Sequence, residues 1–421
     1  MGLSILIVGG GLGGLAAAAY LRRNHNVTIL ERNHLDFTKN DYGISVIANA
    51  YNLLQKAGID DSKLDMAVMT RVWIRNYKNQ EIFTEDFDTR QTFGAPSVLT
   101  KRSHLHKELH RLATSPDLTG KPAQVIEGVR VVEVDTSNGT VHSADGNAYT
   151  ADFIIGADGI NSVVRSAVVS KSGESKLEAE ARNHDLLAYM AQVPISAVEA
   201  TPELAYFAAS GHFGLTSWSS PNGRSDKRRM LAYHINSREV QFVGYAREEE
   251  FAAQFEEKKT TIIKGVPATR VQAAFSDYPP AVTKIFSHHH SGDGTVEAWR
   301  IRDIDPQDTW HRGRALLIGD AAHAVTPHAG QGCNSAFEDA EALGFLLKDA
   351  ETFEDVEAII PKFLQIRKAR AQDIAWSSRH MGGLLSPKDQ AAAGEFDQVE
   401  FGKRNYGYRG AEDALKAAAA S

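Results

Sequence analysis

Residues 4–31 carry the pattern that most restricts what this chain can fold into. Ser4 to Val8 is a short β-branched apolar run, Gly9-Gly-Gly-Leu-Gly-Gly14 follows, Leu12 to Arg22 is alanine-rich and helical in character, and Val27-Thr-Ile-Leu-Glu31 is a second apolar run. The order is β-α-β, which requires two parallel strands joined by a helical crossover. Gly9, Gly11 and Gly14 match G-x-G-x-x-G. The first glycine permits a tight turn, the second lets backbone approach a pyrophosphate, and the third lets helix and strand pack closely. Glu31 ends the second strand, where a carboxylate accepts a hydrogen bond from a ribose hydroxyl. Gly13 and Arg32, which adjoin these positions, complete the candidate nucleotide contacts at this end of the chain.

A second segment specifies the other half of a ligand. Arg314-Ala-Leu-Leu-Ile-Gly-Asp-Ala-Ala-His323 is an apolar run ending in Gly319-Asp320, and Thr326-Pro-His-Ala-Gly-Gln-Gly332 follows. A buried parallel strand of this kind delivers Asp320 to the carboxyl edge of a sheet, where its carboxylate can hold a chain of hydroxyls. The Gly330-Gln-Gly332 turn opens a helix whose free N–H groups suit an electron-rich ring edge. A ribityl chain and a flavin ring meet both requirements. Between the two segments, Asp152-Phe-Ile-Ile-Gly-Ala-Asp158 is a further apolar strand ending in glycine and aspartate, with Arg165 beyond. Leu105, Leu109 and Leu112 recur at helical spacing behind Lys101-Arg-Ser103, so Ser103 is expected to cap a helix and Arg102 to face the nucleotide layer. Strands are expected around Val125 to Val134, with Val131 a candidate cofactor contact.

With 421 residues, the chain is long enough for two units sharing one ligand. A net charge of −7 provides no basic field for nucleic acid or anionic lipid, so the partners are small molecules. The single cysteine, Cys333, leaves no intramolecular disulfide and fits a reducing, cytoplasmic compartment. No segment approaches the roughly 18 uninterrupted apolar residues of a membrane span. The expected fold class is α/β. A discontinuous Rossmann-like FAD-binding domain is formed by residues 1–71, 98–166 and 296–349. A mostly antiparallel β substrate domain from residues 72–97 and 167–295 is inserted in it, and residues 350–421 form a C-terminal helical segment.

Three motifs in order, Gly9 to Gly14, Gly156-Ala-Asp-Gly159 with Arg165, and Gly319-Asp320 with Pro327, resemble the single-component FAD-dependent aromatic hydroxylases, in particular the salicylate hydroxylase and 6-hydroxynicotinate 3-monooxygenase branch. The likeness spans nearly the whole chain, including Tyr406-Gly-Tyr408. It implies one FAD, with the glycine loop and Glu31 on its ADP half and Arg102 near the pyrophosphate and ribityl region. Asp320 is implied on the ribityl chain, Gly330, Gly332 and Cys333 near the pyrimidine edge of the ring, and Pro327 beside the ring. Asp158 is implied in contact with FAD and with transient NAD(P)H. The implied reaction is reduction of the flavin by NAD(P)H, addition of dioxygen at C(4a), and attack of an electron-rich aromatic carbon on the resulting hydroperoxide, with or without decarboxylation. A monomer or a homodimer is compatible with the motifs.

Because the attacking carbon is usually that of a phenolate, a pocket base or acceptor is sought. His328, next to Pro327, and His212, in Gly211-His-Phe-Gly-Leu, are the two candidates, each weighed against a purely bracing role. Tyr206, Trp218 and Tyr233 offer ring contacts or phenolic donors, although aromatic residues in strands usually serve the core. The 6-hydroxynicotinate branch has a histidine where this chain has Ser45, which argues against that substrate. His288-His-His290, placed on a strand, points to opposite faces and makes no metal site. Cys333 opens a helix, which would lower its pKa, yet small-residue packing is the simpler role. The acidic runs Glu248 to Glu250 and Glu256 to Lys259 read as solvated helix surface. Two other functions compete with aromatic hydroxylation: oxidation of an alkaloid, terpenoid or polyketide by the same chemistry, and a flavin-binding redox sensor without turnover.

Overall fold

The computed structural model describes residues 2–37, 41–169, 180–208, 211–248, 261–386, 389–390 and 396–420. Ser4–Val8 lies inside a six-stranded sheet, pairing in parallel with Asn26–Glu31 on one side and Phe153–Gly156 on the other. Gln124–Glu127 and Ala315–Leu317 extend the parallel set outward, and His311–Arg312 adds an antiparallel edge. The central strands are apolar on both faces because helices cover them. Leu12–Leu21 crosses the sheet, packed against Gly332–Leu346 and Arg102–Thr114. Ser4–Val8, Phe153–Gly156 and Ala315–Leu317 end side by side, so Gly9, Asp158 and Asp320 reach one edge from three distant parts of the sequence. At that edge a Cβ on Gly9, which has φ +110°, would strike the Ala157 carbonyl, and one on Gly14 would strike the Gly9 carbonyl.

The second sheet has eight strands in the order Ile262–Pro267, Thr295–Asp303, Arg182–Pro194, Glu239–Arg247, Arg229–His234, Gly214–Trp218, Arg71–Arg75 and Glu81–Asp86. It is antiparallel apart from the parallel pairing of Gly214–Trp218 with Arg71–Arg75. Its outer face buries Trp218, Phe242, Phe275 and Phe286. The inner face looks onto the nucleotide-side layer. A 30-residue helix, Phe353–Gly382, runs behind the Asp320 loop. Its start is fixed by a capping box of Thr352 and Asp355, and its end by Gly383 in the left-handed region.

Several local expectations change. The helix expected from Ser103 begins at Arg102, and the carboxylate that satisfies its free N–H belongs to Asp41, which accepts from the Ser103 N–H and hydroxyl at 2.9 Å each. Tyr206 sits on the helical turn Ala205–Ala208 instead of a strand. His288 ends the 3-10 turn Ile285–His288, so the face-alternation argument for the three histidines does not apply. Glu248 is buried, because Arg300 meets its carboxylate at 2.6 Å. The rest of that acidic run, and Glu256 to Lys259, lie outside the described residues. Among the described residues no helix is long and apolar enough to cross a membrane.

Candidate active site

The glycine loop and Glu31 are bound to each other. Glu31 accepts from the Gly10 N–H at 2.8 Å through Oε2 and from the Asn33 N–H at 2.9 Å through Oε1. This fixes the carboxylate at the strand end, while Arg32 is exposed beside it. Gly11 caps Leu12–Leu21 with φ −74° and ψ −175°, and a Cβ there would enter open space. The turn is therefore open on the side where its unpaired helix N–H groups point, as an anionic ligand requires. Gly13 supplies close helix packing instead, since its Cβ would sit 3.3 Å from the Ala336 methyl. His106 Nε2 bonds the Gly10 carbonyl at 2.7 Å and clamps the loop from the Arg102–Thr114 helix. Arg102 itself contacts the Tyr42 hydroxyl, and its N–H donates to the Tyr42 carbonyl at 2.9 Å.

Asp320 is solvent-accessible in the cleft, and among the described residues its side chain accepts no hydrogen bond. Desolvation by the surrounding walls raises its pKa, partly countered by the charges of His323, Arg165 and Arg102. Such a carboxylate is suited to the hydroxyls of a ribityl chain. Behind it, Asp339 accepts from the Gly319 N–H at 2.9 Å and from His323 Nε2 at 2.6 Å. Burial alone would raise Asp339, but His323 and Arg367 outweigh it and hold the carboxyl at about 2. Gly330 has φ +62°, and a Cβ there would approach Ser45 Oγ at 3.4 Å. Asn334 ties this turn to the 43–46 strand: its Oδ1 accepts from the Ile47 N–H at 3.0 Å and its amide donates to the Gly330 carbonyl at 2.7 Å. Among the described residues the buried Gln331 Nε2 and Asn49 Oδ1 have no partner. Together the open Gly11 turn, the available Asp320 carboxylate and these unsatisfied amides fit FAD, with Gly9 to Gly14 and Glu31 on the ADP half and Asp320 with residues 330–334 on the ribityl and ring half.

The inner face of the eight-stranded sheet completes the cleft. Strand register sets Arg229, Tyr245, Ala188 and Trp299 in one row, and Leu231, Val243, Met190 and Glu297 in the next. Tyr233, Gln241 and Gln192 make a third. The third row closes onto residues 41–43. The Tyr233 hydroxyl donates to the Gly43 carbonyl at 2.5 Å, Gln241 Oε1 accepts from the Gly43 N–H at 3.2 Å, and Gln192 Nε2 donates to the Asp41 carbonyl at 2.6 Å. The first row meets His328, whose ring packs edge-on to Tyr245 at 4.9 Å and whose Nδ1 contacts Arg229 Nη2.

That contact fixes the state of His328. A guanidinium only donates, so Nδ1 accepts and the neutral ring carries its proton on Nε2. Burial, Arg229 and His184 push the His328 pKa well below its ordinary value. Burial also raises the Tyr233 and Tyr245 hydroxyls above the usual phenol range. A Cβ added to Gly382 would collide with the His328 ring, which therefore lies wedged against the end of the long helix. The arrangement favours the bracing role over proton abstraction. Pro327 is exposed at the start of the turn Pro327–Ala329.

The remaining expected residues divide between the cleft and its framework. The Asp158 carboxylate accepts from Ser162 Oγ at 2.5 Å and from the Val163 N–H at 2.7 Å, so it organises the start of the Val163–Val169 helix. Arg165 is buried and donates to the Ala321 carbonyl at 3.0 Å, joining the Asp158 and Asp320 segments. Val131 is buried at the start of Val131–Asp135 in a separate three-stranded sheet. His212 pairs with Thr70 Oγ1 at 3.2 Å, a different neighbourhood from that of His328. The Cys333 thiol is pushed up to about 12, mainly by burial and also by Asp320, which agrees with the packing role preferred from the sequence over helix-start activation. Asn49, His106 and Arg229 were missed in the sequence, whereas Asn334 closes the 330–334 segment already expected at the ring edge.

The sequence matches the FAD binding domain family over residues 3–378. It is 29% identical to hispidin-3-hydroxylase of Neonothopanus nambi, with 89% of this chain and 87% of that protein aligned. It is also 29% identical to the FAD-dependent monooxygenase cfoG of Aspergillus candidus, over 99% of this chain and 95% of that one. Among solved structures, a salicylate hydroxylase substrate complex superimposes with a TM-score of 0.76 at 21% identity, covering 99% of this chain and 97% of its own.

Proposed function

The chain belongs to the FAD binding domain family, and from that membership and the cleft geometry we propose that it is an FAD-dependent, NAD(P)H-consuming monooxygenase that hydroxylates a phenolic or related electron-rich aromatic compound. The observation that carries the reading is that Asp320, Arg102 and Cys333 lie within electrostatic reach of Tyr42, and Cys333 of Tyr233, so the cofactor-side turn meets the aromatic sheet face. FAD, when bound, supplies the redox chemistry: it takes electrons from NAD(P)H and activates dioxygen.

The protein's own work is binding, orientation and exclusion of water. Asp320 and the glycine loop hold the cofactor, and Asn334 keeps the 330–334 turn against the 43–46 strand. Leu231, Val243 and Met190 give an aromatic ring an apolar bed and keep water from the reacting carbon. Burial keeps the protons on Tyr233 and Tyr245 and makes His328 a weak base, so this face positions the ring without taking a proton from the substrate. The substrate therefore brings its own activation, as a phenol or enol that ionises readily or as a donor-rich ring. Hydroxylation with or without decarboxylation fits this cleft.

Addition of phenolic compounds to the purified holoprotein tests the proposal. A monooxygenase oxidises NAD(P)H faster in their presence and releases a hydroxylated product. A redox sensor shows no acceleration with any of them.

A further inference from the structure

A cavity of about 390 Å³ lies on the sheet face beside the cofactor cradle, for Tyr42 in its lining contacts Arg102. Met190, Glu297, Trp299, Gln241 and Gln192 form its floor, members of the same three rows that bed the reacting ring. Asp41, Tyr42 and Lys101 roof it, and Lys264 with His289 and His290 closes its side. An apolar cavity of about 150 Å³ already admits one benzene ring, so this space exceeds what a single small ring beside the flavin would need.

The lining describes its occupant. Tyr42 and Trp299 meet edge to face with centroids 5.1 Å apart and present aromatic surface to a flat ligand. The charges are balanced: Lys101 is held by Glu239 at 2.8 Å, and Lys264 faces Glu297 at 3.7 Å. The Asp41 carboxylate is already bonded to Ser103 at 2.9 Å. Among the described residues no surplus of cations awaits a carboxylate or a diphosphate. His290, Glu297 and Lys264 instead offer donors and acceptors to hydroxyl groups. The lining takes Trp299 from the first row and Gln192 and Gln241 from the third, rows four residues apart along each strand or about 14 Å, so the cavity itself has the length of two rings joined by a short bridge.

We propose that this cavity is a second-ring subsite, taking the uncharged, hydroxylated distal ring of an elongated aromatic substrate whose other ring lies at the cofactor. The inference rests on the monooxygenase reading for the position of the reacting ring, but its test does not depend on turnover.

Oxidised holoprotein is titrated with resorcinol, 3,5-dihydroxystilbene and 3,5,4′-trihydroxystilbene, following the flavin absorbance and the heat of binding. Burial of the second ring should tighten the dihydroxystilbene by about 30-fold or more over resorcinol. The additional hydroxyl should contribute about a further 5-fold. Trp299→Ala should collapse the first ratio. Glu297→Gln, a milder change at a partly exposed position, should reduce the second, and a normal flavin spectrum verifies that each variant is folded. Equal affinities for all three compounds, or ratios untouched by both variants, would overturn the subsite. Displacement of the trihydroxystilbene by ADP or pyrophosphate would also overturn it, assigning the space to a nucleotide. Ring-dependent binding without any oxygenated product would instead leave the subsite standing and defeat the monooxygenase proposal.

Discussion

Asp339 holds the Gly319 N–H at 2.9 Å from behind the cleft, so a buried carboxylate on one helix sets the backbone that presents Asp320. The same carboxylate meets Arg367 Nε at 2.8 Å, and Arg367 is completely buried. Removing one partner of a buried ion pair typically costs about 3–5 kcal/mol. Asp339→Ala should therefore lower the melting temperature markedly and weaken FAD retention, although Asp339 lies behind the loop and not in the cleft. A variant with wild-type stability and wild-type FAD affinity would remove Asp339 from this role.

Asp320→Ala should behave differently. Among the described residues the Asp320 side chain has no hydrogen bond to lose, so the apoprotein should keep its stability while FAD binding weakens. The loss of a charge-assisted hydrogen bond is worth about 1.5–3 kcal/mol, roughly 10- to 150-fold in Kd. Fluorescence titration of the apoprotein with FAD measures it, and an unchanged Kd would contradict the assignment.

Gly11→Val separates folding from binding. The backbone at Gly11 is extended and its Cβ direction is open, so valine costs little in the apoprotein. The isopropyl group would occupy the position expected for the pyrophosphate, and a folded but colourless protein should result. Retention of stoichiometric FAD by this variant would show that the glycine loop has been misread.

His328 makes a prediction about pH. Its folded pKa is depressed, whereas in the unfolded chain the ring takes up a proton near pH 6.5. Below that pH the unfolded state binds more protons, so the contribution of His328 to stability is complete above about 6.5 and is lost as the pH falls toward the folded value. His328→Gln should flatten the acid side of the stability profile relative to wild type. In the same comparison the pH profile of product yield should lack a step near 6.5 assignable to His328. A step that disappears in His328→Gln would restore the general-base role.

The sequence disclosed the cofactor side of the molecule more fully than the substrate side, and the reason is physical. Gly9, Gly14 and Asp320 are dictated by local backbone geometry at strand ends, which leaves fixed spacings in the chain. Residues 72–97 were assigned to the substrate domain, and Arg71–Arg75 and Glu81–Asp86 stand at one end of the second sheet. The pairing of His328 with Arg229 spans 99 positions, and the capping of Ser103 by Asp41 spans 62. Neither leaves a periodic signal. Glu248 looked like part of a solvated run because its partner, Arg300, is 52 residues away. Asp158 carried a recognisable motif, but only the structure shows its carboxylate committed to a helix start.

The most direct test of the central claim is the origin of the oxygen in the product. The purified protein with bound FAD, NAD(P)H and an accepted phenolic substrate, supplied with ¹⁸O₂, should release a hydroxylated product carrying one heavy oxygen atom, and NAD(P)H oxidation should accelerate only when that substrate is present. Product oxygen derived from water, or NAD(P)H consumption indifferent to every aromatic compound offered, would contradict a monooxygenase.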